Sequence, residues 1–219
     1  MKSFNKKFLD EYLKTSLKDR NANSYPFLLD PAVLNQTYQK NVLFYCKQPQ
    51  NWLSKAYDVD LELEQLLGLL HEEYSSSFYS NPDRRFKAID EFCNIRERLK
   101  GNPNINLIFN NIVKFSRRDD PDSYDGRYYK QFETLVKQEY ELINPGKTIF
   151  CVGPDEDYSG LMSYLFLNDI DIKDLTIDNP FNIYTDFKGN KVLHTFHPGF
   201  WFNIKGFDMM DVIIDFILR

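Results

Sequence analysis

Cysteine is scarce in this chain. Cys46, Cys93 and Cys151 are the three present, far apart and odd in number, and no C-x-x-C pair occurs. Structural zinc sites and iron–sulfur clusters draw on grouped thiolates, so neither is expected, and no metal or other cofactor is implied. Cys46 and Cys151 each fall in a short apolar run, where a reduced thiol behaves as a small hydrophobe. A reducing, cytoplasmic setting is the expectation. Long hydrophobic runs are also missing. Nothing approaches the roughly 20 apolar residues that span a bilayer. The lysine-bearing N-terminus has no apolar stretch of signal-peptide length, so no membrane association is expected. A surplus of positive charge is lacking too, since 27 Lys and Arg stand against 32 Asp and Glu for a formal net charge of −5. Non-specific nucleic-acid binders draw affinity from neutralising phosphates, so tight binding of that kind is disfavoured, while a small basic face stays compatible. No G-x-S-x-G elbow is present to support a Ser-His-Asp triad. There is no internal repeat, low-complexity tract or linker. A length of 219 residues fits one domain, residues 1–219, with 1–40 as an N-terminal helical extension packed on the core.

What the chain has in abundance is aromatic side chains: 19 Phe, 14 Tyr and 2 Trp make 16% of it, so aromatic packing is expected to dominate the core. Phe4, Phe8 and Tyr12 recur every four residues beside Leu9, Leu13 and Leu17, which predicts an amphipathic helix over Ser3–Asp19. Residues 20–40 read as an extended loop with a short helical turn near Pro31–Leu34. Asn41–Cys46 is a continuous apolar run of the kind found in strands covered on both faces. It opens into a polar loop, KQPQNW, ending at Trp52.

Helices are predicted over Leu61–Tyr74 and Arg85–Lys100, the second stopped by Gly101. Asn104–Phe115 mixes strand formers with the pair Asn110-Asn111. The charges of Ser116–Asp125 answer one another as a surface loop. A helix from Gly126 to Leu142 meets the breaker Asn144-Pro145-Gly146. Thr148–Val152 is a second buried-type strand, and a helix follows over Tyr158–Leu167. Asn182–Phe187 and Lys191–Phe196 form a hairpin turning at Gly189-Asn190. Phe207–Leu218 is a closing apolar helix. Buried strands alternating with helices predict a three-layer α/β/α sandwich with a mainly parallel central sheet.

The stretch where chemistry looks arranged is Lys191–Trp201, KVLHTFHPGFW. A strand running into His197-Pro198-Gly199 delivers an imidazole to the rim of a sheet, where ligands bind in open α/β folds. Proline fixes φ and removes a donor, glycine permits close approach, and Phe200-Trp201 add flat apolar area. His194 alternates to the opposite face from His197, which disfavours a shared metal and makes His194 structural. His71, after the leucines of its helix, reads as solvent-exposed. Asp155-Glu156-Asp157 reads as the acidic start of a helix rather than a metal site. Trp52 and Trp201 read first as packing and second as base-stacking platforms.

Four pieces in order, NVLFYCKQPQNW, NNIVKF, LINPGKTIFCVGP and HTFHPGFW, resemble the uracil-DNA glycosylase superfamily, in particular its poorly characterised bacterial and phage-type members. The resemblance covers roughly residues 41–205. It implies a uracil-DNA glycosylase-like fold and a pocket for a base taken out of the nucleic-acid stack. It further implies that His197 donates to the negative charge that develops on a departing pyrimidine. By the same resemblance Asn111, with Asn110 as its rival, hydrogen-bonds the base, and Trp52, which closes the first loop, is a further nucleobase-binding residue. Pro198 and Gly199 would then touch phosphate. The first loop departs from the family pattern. Cys46, Lys47 and Gln48 stand where a close-approach glycine and a water-positioning acid are usual, with Gln48 at the catalytic place. The expectation is therefore nucleobase or nucleic-acid recognition with altered or weak N-glycosylase activity. The alternative is a catalytically silent module that keeps the fold for a protein partner. The implied ligands are single- or double-stranded DNA or a free nucleobase.

Overall fold

The computed structural model describes residues 1–34, 40–47, 63–75, 87–120 and 123–219. They divide into two compact units, one of Met1–Asn35, Gln48–Asn81 and Val113–Leu142, the other of Gln36–Lys47, Pro82–Ile112 and Ile143–Arg219.

The first unit carries α1 (Lys2–Lys14), α2 (Leu17–Ala22), a 3-10 turn at Pro31–Leu34, α3 (Leu63–Ser75), α5 (Gly126–Lys130) and most of α6 (Glu133–Ile143). Its core is aromatic, as the composition predicts. Phe8 stacks on Phe132 at 5.3 Å between centroids, and Phe115 meets Phe132 at 4.7 Å and Tyr12 at 6.0 Å. The helix expected over Ser3–Asp19 is two helices. Ser16 is extended, and its hydroxyl accepts from the Asp19 N–H at 3.1 Å to start α2. A side-chain cap there wins over the continuing leucine period. The helix expected from Gly126 to Leu142 is likewise two, α5 and α6, parted at Gln131–Phe132. Lys114 and Glu139 form a fully buried ion pair at 2.5 Å, and burial holds the lysine's pKa below its ordinary value despite that partner. His71 lies within α3, half-exposed, 2.9 Å from Asp30.

The second unit holds a five-stranded sheet of β1 (Lys40–Cys46), β2 (Ile105–Asn111), β3 (Lys147–Cys151), β4 (Phe181–Thr185) and β5 (Lys191–Thr195), in the order β2-β1-β3-β5-β4. The first four in that order are parallel, and β4 joins as the antiparallel arm of the expected hairpin. The strand formers after Asn111 do not extend β2, which ends there.

Alternation along β1 sends Phe44 to one face and Tyr45 to the other. Phe44 packs with Phe109 and with Phe92 of α4 (Lys87–Arg98). Tyr45 stacks on Phe150 at 5.1 Å, and both meet Phe166 of α7 (Glu156–Phe166). Helices therefore lie on both faces of a mainly parallel sheet, an α/β layering with β1 and β3 buried throughout their apolar length. The last helix, α8 (Met209–Leu218), shares contacts with α4. Its C-terminal carbonyls are met by two lysines: Lys147 Nζ donates to Phe216 O and Lys40 Nζ to Ile217 O at 3.1 Å. Among the described residues no helix is long and apolar enough to cross a membrane.

Candidate functional site

The parallel strands end on one edge, with Cys46 opposite Asn111 and Cys151 opposite Thr195. In sheet order the edge collects Asn111, then Cys46 and Lys47, then the turn after Cys151, then the residues that lead to His197. Carboxyl ends of parallel strands are where open α/β sheets place their ligands.

His197 leaves β5 in extended conformation and caps the 3-10 helix Pro198–Asn203. Its Nδ1 accepts the Gly199 N–H at 3.3 Å. An imidazole accepting at Nδ1 carries its proton on Nε2, so the neutral ring is a donor there. The Gly199 N–H is thereby committed and Pro198 has none, so neither offers a backbone donor to a phosphate. Trp201 is buried, and its indole N–H donates to Phe196 O at 2.8 Å, a packing role. Phe200 stacks on Phe196 at 4.7 Å.

Asn111 is 3% exposed, and among the described residues no group hydrogen-bonds its amide side chain. Asn110 is fully buried on the opposite face, and its Oδ1 accepts the Asn111 N–H at 2.9 Å. β1 and β3 lie between the strands of Asn111 and His197, so roughly 14 Å of sheet separates the two, at strand spacings of about 4.8 Å. The structure puts both residues on one edge, on strands three places apart. Gln48 and Trp52 lie outside the described residues.

Cys46 is buried, and burial raises its thiol pKa well above the ordinary value. Cys151 is raised for the same reason, with Cys46 close by as a second cause. Neither thiol is a nucleophile at neutral pH. Lys47, the first residue of the loop after β1, forms an ion pair with Asp155 at 2.9 Å and lies over the Tyr158 ring at 4.9 Å. Asp155 also caps α7, accepting the Asp157 N–H at 3.2 Å.

Gly153 links the two ends of the site. Its φ of +73° is a left-handed conformation that glycine adopts without strain, and its N–H donates to Thr195 O at 3.0 Å. Its carbonyl accepts from His194 Nε2 at 2.9 Å. His194 is 1% exposed, and burial pulls its pKa down to about 4, so the ring is neutral. No family model and no curated protein matches the chain.

Two features of this edge escaped sequence reasoning. The sequence marks Asp155 only as a helix start, and nothing in its spacing reveals that Lys47 reaches it from 108 residues away. The commitment of the Gly199 N–H to His197 is the second, although His-Pro-Gly itself carries the signal for a tight cap. Among the described residues no group of three or more His, Cys, Asp or Glu could hold a metal ion.

Proposed function

We propose that the sheet-bearing unit recognises a nucleobase at the carboxyl edge of its parallel strands. In this reading it is a uracil-DNA glycosylase-like protein whose uracil excision is weak or absent. The observation that carries the reading is the tautomer of His197: an Nδ1 held by the Gly199 N–H makes the neutral ring an Nε2–H donor at the strand edge. A donor fixed in place stabilises negative charge as it develops on a pyrimidine. Asn111, on the same edge, supplies an amide able to both donate to and accept from a base. The weakness follows from the first loop, where buried Cys46 occupies the place for close backbone approach and Lys47 is already answered by Asp155.

A second reading, a silent binding module for a protein partner, is favoured by that same answered lysine, because it removes free positive charge from the loop. Binding of uracil and of a single-stranded oligonucleotide containing uracil, against the same oligonucleotide with an abasic site in its place, followed by NMR, separates the two. The expected result is saturable binding of at least one of these ligands, weakened in His197→Gln, with uracil release from a labelled oligonucleotide at or near background. Absence of binding to both ligands would exclude the nucleobase reading. Robust uracil turnover by the natural protein would refute the inference of a weakened loop.

A further inference from the structure

Apart from the strand edge, α7 and the segment 169–174 border a cavity of about 460 Å³, lined on one side by His194. That volume falls within the range of small-molecule sites, roughly 300–1,000 Å³, and is far larger than a bare metal ion needs. Its charge is one-sided. Among the described residues, Glu156, Asp169, Asp171 and Asp174 line it against one cation, Lys173.

The hydroxyls in the wall add acceptors rather than donors. Ser159 Oγ donates to Glu156 O at 3.3 Å and Ser163 Oγ to Ile170 O at 2.5 Å, so each has spent its proton and keeps its lone pairs. His194 is the decisive wall residue. Nε2 is held by the Gly153 carbonyl, and Nδ1, in a ring that is 1% exposed, is an acceptor with no hydrogen-bond partner among the described residues. Buried acceptors are satisfied in nearly all folded proteins, and one left over beside a cavity calls for a donor from outside. An anion is disfavoured, because the α7 N-terminus is already capped by Asp155 and carries Glu156 and Asp157 in its first turn.

We infer that this cavity binds a small organic cation bearing several N–H donors, of the alkylamine or guanidinium class, held by the acidic wall and by a hydrogen bond to His194 Nδ1. The site stands apart from the nucleobase reading and does not depend on it.

Agmatine and spermidine are suitable probes, titrated by calorimetry against sodium and magnesium chloride at matched ionic strength. The ¹⁵N resonance of His194 Nδ1 is followed in parallel. Gly160 lines the cavity, and a Cβ built on it meets nothing within 4 Å. Gly160→Leu therefore fills the cavity while raising helix propensity, so a loss of binding is separable from a loss of fold. Asp171→Asn combined with Asp174→Asn removes charge at two exposed positions and serves as the second variant. Asp119→Asn with Asp120→Asn, also exposed, is the control for general acidic attraction.

The expected result is saturable one-site binding of at least one amine and a shift of the Nδ1 resonance. Affinity should fall about tenfold or more in Gly160→Leu and in the Asp171/Asp174 variant, and hold in the control. Three outcomes overturn the proposal: no saturable binding of either amine, equal affinity in Gly160→Leu, or an equal loss in the control.

Discussion

His194 shows how much one residue's surroundings decide its chemistry. Its depressed pKa, about 4 in the fold against an ordinary value near 6.5, has burial as its first cause, opposed by the hydrogen bond to Gly153. The sign of the linkage follows directly. The unfolded chain takes up a proton as pH falls through about 6.5, whereas the folded chain resists until about 4, so stability present above that window is lost on descending through it. At about 1.4 kcal/mol per pH unit, the full loss is on the order of 3 kcal/mol. Urea unfolding of the natural protein and of His194→Gln at pH 7 and pH 4.5 reads it, since the variant retains every other titrating group. The natural protein should lose more stability than the variant between the two pH values; parallel losses would remove the assignment. The sequence placed His194 on the face opposite His197 by simple alternation, and it pointed to a structural histidine. The unpaired Nδ1 and the cavity beside it depend on what α7 and the 169–174 segment place around the ring, and no local pattern encodes that.

At the scale of elements, the strands were legible because apolar runs such as NVLFYC and TIFC have few alternatives to a two-face-covered strand. Helix ends were less legible, because Ser16 caps by a local hydrogen bond that a hydrophobic period cannot reveal. The C-terminus of α8 was not legible at all. Its carbonyls are met by Lys147 and Lys40, which come from two neighbouring strands. A lysine at a helix C-terminus is favourable to the dipole. Burial, and secondarily the charge of Lys40, nevertheless pull Lys147 down to about 8. Because the folded pKa lies below the unfolded one, the unfolded chain holds the extra proton between about pH 8 and 10.5, and the contribution of Lys147 to stability rises with pH across that range. Lys147→Met should therefore cost about 1 kcal/mol or less at pH 7, and its deficit relative to the natural protein should widen as pH approaches 10. Denaturant midpoints at pH 7, 8.5 and 9.5 test this. A deficit that narrows instead would show that the amine's charge, rather than its hydrogen bonds, holds the helix end.

On the scale of the whole molecule, the order of strands and helices conveyed the layered sheet, and the strand-edge location of His197 came with it. The acid that answers Lys47 did not, since that contact joins residues 108 apart, whereas the Gly199 N–H that sets the His197 tautomer lies two residues along the chain. The net charge of −5 bears on the same site from a distance. A protein that draws affinity from the phosphates of a single strand releases counterions in proportion to the phosphates it neutralises, about 0.7 per contact in the slope of log K against log salt. With acids in excess, Lys47 paired with Asp155 and the Gly199 N–H committed to His197, few groups among the described residues of this edge are left to neutralise phosphate. Any oligonucleotide bound there must be held mainly through its base. The salt dependence of binding to a single-stranded uracil-containing oligonucleotide should accordingly be shallow, with a slope shallower than about −2, compatible with three phosphate contacts or fewer. Fluorescence anisotropy at 50–300 mM salt measures it. A steep slope, of about −5 or beyond, would show a broad phosphate-binding face and overturn the proposal that the strand edge recognises a nucleobase.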